Sequence, residues 1–177
     1  MNFEFSADQM QLKDIARKFL EKEDAVKRAR NVLEGEESFD ENLWQQIIEM
    51  GFTATAIPEE YGGLGLGYLE LCVIAEELGR SLAPTPFSSS VYLATEAILN
   101  SGDNSLKQNY LPSLANGEKI GSFAHSESNT SPTESNIQCN VSGNALSGKK
   151  IAVVDGDISN FFVVSAKNGS NVGLYLV

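Results

Sequence analysis

The hydrophobic pattern of this chain changes period once. From Ser6 to about residue 111, apolar residues recur three and four positions apart, between helix caps and breakers. After residue 118 it becomes a series of short β-prone runs: "KIGSFAHSE", "NIQCNVSG", "ALSGKKIAVV", "NFFVVSAK" and "VGLYLV". Gly, Asn, Asp and Ser separate them. A helix face repeats every 3.6 residues and a strand face every two, so no segment satisfies both. Helices followed by strands predict an α+β fold. Residues 1–117 should form an all-α helical domain, and residues 118–177 a partial, mainly antiparallel β domain. The join falls around residues 112 to 118, within "LPSLANGEK". So short a β block makes an incomplete sheet with open edges.

Within the helical part the caps are explicit. Ser6 with Gln9 three residues on reads as a capping box, and Phe5 with Met10 as a hydrophobic staple. Leu12, Ile15, Ala16, Phe19 and Leu20 then mark a buried stripe. The charged run from Glu21 to Glu37 reads as a solvated helix face and a loop. Asp40 caps a second helix bearing Leu43, Trp44, Ile47 and Ile48, and Gly51 suits its left-handed end. Leu69 to Leu78 is apolar on nearly every side and predicts a central buried helix. Cys72 would be a small buried residue in it, and Glu76 and Glu77 solvated or capping charges. Ser88 to Asn100 predicts another helix, and Ser105 to Leu111 a short one stopped by Pro112.

"IPEEYGGLGLGYLELCVIAEELGR", Ile57 to Arg80, crowds four glycines into positions 62 to 67. A dinucleotide loop needs a strand, then G-x-G-x-x-G, then a helix. Gly63 and Gly65 supply two glycines, but Tyr68 occupies the third position. Glu59 and Glu60 would repel a pyrophosphate, and no G-K-[ST] is present. The glycines therefore predict positive φ and close backbone approach at a bend between helices.

Thirteen basic against 24 acidic residues, a net charge of −11, argue against nucleic-acid partners and anionic membrane surfaces. No apolar stretch reaches the roughly 18 residues that span a bilayer, so no membrane insertion is expected. The start "MNFEFSADQMQL" lacks a basic segment followed by an apolar run, which points to a cytoplasmic protein. Cys72 and Cys139 have neither metal-ligand nor scaffold spacing, and His125 is the single histidine, so no metal site is expected. No G-x-S-x-G motif is present.

"PEEYGGLG" followed by "AEELGRSLAPTPF" resembles the amino-terminal helical domain of the acyl-CoA dehydrogenase family. "FSADQMQLKDIARKFLEKE" looks like its first helix, "LWQQIIEMGFTATAIPEEYGG" like its second helix and loop, and "YLPSLANGEKIGSFAHSES" like the passage into its middle β domain. The resemblance covers essentially the whole chain, and family members are about twice this length. It implies FAD as cofactor, an acyl-CoA substrate oxidised to the 2,3-enoyl thioester, homo- or hetero-oligomers, and an electron-transfer acceptor protein. The family's general-base carboxylate belongs to its carboxyl-terminal region, so no catalytic residue is assigned in this chain, which alone should be inactive.

The resemblance also implies cofactor contacts. Phe123 falls on an aromatic position, His125 on a backbone-contact position, and Ser126 replaces a Thr while keeping a hydroxyl. Glu127 is retained and Ser128 replaces a Pro. Pro132 stands where the family has a substrate-contacting Ser. In "KKIAVVDG", Lys150 and Gly156 remain, while Ala152 replaces a Trp and Val154 a Thr. Two readings follow: the amino-terminal half of a flavin dehydrogenase, or a non-catalytic partner subunit on the same fold with a degraded flavin site.

Overall fold

The computed structural model describes residues 4–129 and 133–177. Six α-helices come first: α1 (Ala7–Lys22), α2 (Ala25–Glu34), α3 (Glu41–Glu49), α4 (Tyr68–Arg80), α5 (Glu96–Leu99) and α6 (Asn104–Ala115). Five strands follow: β1 (Gly121–Ala124), β2 (Asn140–Ser142), β3 (Ala145–Ser147), β4 (Phe161–Asn168) and β5 (Asn171–Leu176). A π-helical stretch, Ser88–Thr95, leads directly into α5.

The caps form as the residues demand. Ser6 Oγ accepts from Gln9 N, and Gln9 Oε1 accepts from Ser6 N. Gln9 Nε2 then donates to Glu70 Oε1 at 2.8 Å, while Glu70 Oε2 accepts from Gly67 N, so the starts of α1 and α4 are tied together. Asp40 caps α3 through Leu43 N, and Gly51 ends it with φ 76°. The glycine segment is the expected bend. Gly62 has φ 81°, and a Cβ on Gly63 would lie 1.9 Å from Ile57 O.

The charged run Glu21–Glu37 is the expected solvated helix face and loop: α2 occupies Ala25–Glu34 with only Ala25 buried, and Arg28 bridges Glu23 and Asp40 to seat it. Three local expectations are corrected. Pro112 does not stop α6, which continues to Ala115. Pro112 has no N–H to donate to the carbonyl four residues back, so one helix bond is missing, and α6 ends three residues on. Cys72 is exposed, because α4 buries only the face of Leu71, Val73, Ile74, Glu77 and Leu78. Glu77 is not a solvated charge. Its side chain is 0 % exposed and is paired with Arg17 and Arg80.

The sheet is mixed. β1 runs parallel to β4, from Gly121 opposite Phe161 to Ala124 opposite Val164. β2 meets the same edge of β4 in parallel at Asn140 opposite Lys167 and turns back antiparallel into β3. β5 lies antiparallel along the other edge. β4 is therefore central, and its run Val163–Ala166 is buried on both faces. The longer run "ALSGKKIAVV" yields only β3, which ends at Ser147, and the backbone turns left-handed at Ala152.

Two apolar cores result. One joins α1, α3, α4 and the π-helical stretch around Leu20, Leu43, Ile47, Ile74 and Phe87. The other joins α5 and α6 to the sheet, with Ile98, Leu111 and Leu114 against Phe161 and Val163. Among the described residues, no helix is long and apolar enough to cross a membrane.

Candidate functional site

The site is a seam between the end of β1 and the segment 150–156. Parallel pairing with β4 fixes β1, and the π-helical stretch packs across it, with Ser90 Oγ accepting from Gly121 N. Three contacts then join the two segments. Ser122 Oγ donates to Val154 O at 2.6 Å, Ile151 N donates to Ser126 O at 2.8 Å, and Lys150 Nζ donates to His125 O at 3.0 Å.

Lys150 is the hub. Its ammonium also donates to Glu127 Oε1 at 2.7 Å and to Ser165 Oγ at 3.0 Å, which uses all three of its protons. The side chain is 7 % exposed, so a buried cation is fully paired. Glu127 also accepts from the backbone N–H groups of Gln138 and Cys139. Burial pushes its carboxyl upward, but the Lys150 hydrogen bond and the two amides outweigh it and hold it at about 2. Ser165 Oγ lies 2.8 Å from His125 Nδ1.

The structure brings the sequence-predicted residues to this seam. The Phe123 and His125 rings stand 5.9 Å apart, and Ser126 abuts the segment bearing Ala152 and Val154. Ala152 is exposed with φ 52°, and Val154 is 52 % exposed. Pro132 lies outside the described residues. Sequence reasoning assigned Lys150 no function and passed over Ser165 and Ser89. Ser165 had a signal: it is the one hydroxyl inside the apolar run "FFVVSAK".

A flavin ring fits this seam in its donor chemistry on one side. Ser126 Oγ makes no hydrogen bond among the described residues and is available as a donor to a ring-edge acceptor. Ala152 and Val154 offer apolar surface and no side-chain donor. Among the described residues, no group of three or more His, Cys, Asp or Glu is placed to hold a metal.

The geometry has parallels among known proteins. Residues 6–118 match the family model described as acyl-CoA dehydrogenase, N-terminal domain. The mitochondrial isovaleryl-CoA dehydrogenase of Arabidopsis thaliana is 32 % identical over 177 aligned residues, covering 96 % of this chain and 43 % of that protein. A chain from a structure of the electron transferring flavoprotein of Acidaminococcus fermentans superposes over 100 % of this chain and 49 % of its own, with TM-score 0.87 and 28 % identity. One from the ChsE4-ChsE5 complex of Mycobacterium tuberculosis does so over 100 % and 48 %, with TM-score 0.87 and 27 % identity. The chain thus spans less than half the length of these relatives.

Proposed function

From the premise that this chain belongs to the acyl-CoA dehydrogenase family, we propose that it supplies the amino-terminal half of a flavin-dependent α,β-dehydrogenation of an acyl-CoA thioester. Residues 1–117 act as the helical domain and residues 118–177 as an incomplete β domain. The observation that carries the reading is the seam: Lys150 and Ile151 clasp the end of β1, so the two segments that resemble flavin-contacting ones lie side by side. FAD, when bound, would supply the hydride acceptor. Ser126 would donate to its pyrimidine edge, where a donor favours the reduced, more negative ring. Phe123, Ala152 and Val154 supply apolar surface, and His125 contributes through its backbone. The general base comes from outside this chain. A homo- or hetero-oligomer, an electron-accepting protein partner and a cytoplasmic location complete the proposal.

A second reading is favoured by one observation. Ala152 and Val154 carry neither an aromatic wall nor a hydroxyl, as a non-catalytic partner subunit with a degraded flavin site would require. Titration with FAD separates the two. The dehydrogenase reading expects saturable but weak binding by this chain alone, with a perturbed visible flavin spectrum. Each missing hydrogen bond costs about 0.5–1.5 kcal/mol, which moves a tight site toward micromolar affinity. Absence of saturation at millimolar FAD would favour the partner-subunit reading, and submicromolar binding would show that the contacts are misassigned.

A further inference from the structure

The segment that follows Lys150 is also held from the helical side. Ser89, on the π-helical stretch, is fully buried, and its Oγ lies 2.6 Å from Asp155 Oδ2. Pro86 O is 3.1 Å from the same hydroxyl. A hydroxyl has one proton, and the nearer acceptor takes it. Asp155 has φ 53°, a left-handed backbone. A residue with a Cβ holds that conformation where its surroundings enforce it. Here Ser159 Oγ donates to Asp155 O at 2.7 Å, Ser122 Oγ donates to Val154 O, and Ser89 holds the carboxylate.

A π-turn widens the helix and redirects its side chains, and such turns are frequent at functional sites. In this chain it sets two consecutive buried serines to two different tasks. Ser90 accepts from Gly121 N at the foot of β1, and Ser89 holds Asp155 in the facing segment. Both sides of the seam are thereby registered on one turn of helix.

We propose that Ser89 is a positioning residue for the cofactor segment. Through Asp155 it holds the left-handed turn and so sets where Ala152 and Val154 stand against a flavin ring. This role rests on the flavin reading above. It differs from a core-packing role because it acts through one hydrogen bond on one loop.

The test pairs Ser89→Ala with Asp155→Ala and Asp155→Asn. Asn keeps an acceptor and tolerates the left-handed region. By hydrogen exchange on the chain without FAD, each Ala variant should exchange about tenfold faster over 150–158, as expected for loss of one buried hydrogen bond, with α1 to α4 unchanged. The double variant should be no faster than the worse single one, since both remove the same bond. Asp155→Asn should stay near wild type. FAD titration should show about tenfold weaker binding for each Ala variant and near-native binding and flavin circular dichroism for Asp155→Asn. Unchanged exchange over 150–158, or a uniform rise across the chain, overturns the positioning role. So does local loosening with FAD affinity equal to wild type. Failure of the wild-type chain to bind FAD removes the flavin reading instead, and the exchange result then decides by itself whether Ser89 holds the loop.

Discussion

At the scale of single residues, two buried carboxylates tie stability to pH. Glu77 is fully buried and accepts from Arg17 Nε at 3.0 Å and Nη2 at 2.7 Å, and from Arg80 Nε at 2.7 Å. The Arg17 hydrogen bonds, against the opposing effect of burial and with help from Arg80, hold its carboxyl at about 2. Glu127 is held at about 2 by Lys150 and two amides. Both folded-state values lie below the ordinary 4.5. A carboxylate depressed in this way adds stability above its unfolded value and loses it as pH falls through its folded value. Stability should therefore decline from about pH 4.5 toward about pH 2. Glu77→Gln should cost about 3 kcal/mol at pH 7, at the low end for breaking a buried pair because both arginines reach water. It should also flatten the acid limb. Urea titrations at pH 7, 4 and 3 measure both effects, and an acid limb as steep in the variant as in wild type would refute this account. None of this was legible in the sequence. Glu76 and Glu77 are adjacent and chemically identical, yet Glu76 meets Lys13 with 55 % of its side chain exposed. Only the packing of α1 on α4 separates their roles. The candidate residues Phe123, His125, Ser126, Ala152 and Val154 were named from motif resemblance, and Lys150 as a retained motif position without a role, whereas Ser165 and Ser89 act through neighbours far along the chain.

At the scale of elements, the glycine bend distinguishes two demands that look alike in the sequence. Gly62 needs a positive φ in open space, while Gly63 needs room beside the Ile57 carbonyl. Gly62→Ala should cost about 1 kcal/mol through backbone strain. Gly63→Ala should cost about 3 kcal/mol or more, because its new methyl meets backbone rather than a side chain that can swing away. Thermal melts of both variants check the order, and equal melting temperatures would remove the explanation. Helix starts were legible here because Ser6 and Asp40 cap with their own side chains. The start of α2 was not. Asp24 precedes it with φ 50° and makes no side-chain cap bond, so α2 starts without the capping bond that marks α1 and α3. Pro112 misled because the loss of its one N–H is outweighed by the packing of Leu111, Leu114 and Ala115, which keeps the last turn helical.

At the scale of the whole molecule, the switch from helices to strands was readable, because period depends only on neighbours in the chain. The parallel pairing of β1 with β4 was not, since it joins residues about 40 apart through a crossover that no local pattern encodes. β5 pairs with β4 alone, and among the described residues its other edge has no partner; Leu174 is 54 % exposed and Val177 62 %. Unpaired edges recruit other chains. Light scattering should show this chain self-associating as its concentration rises, and a Lys placed at Leu174 should shift it toward monomer. A wild-type chain that stays monomeric at high concentration would contradict this. The second core has a further consequence. Phe161 and Val163 lie against Leu111 and Leu114, and the Tyr110 and Phe161 rings are 4.9 Å apart. A recombination event after residue 117 would leave two pieces, each with half of a greasy joint bare to water. Each piece would then need another partner to cover that joint, so an exchange that keeps helices and sheet together leaves the smaller repair.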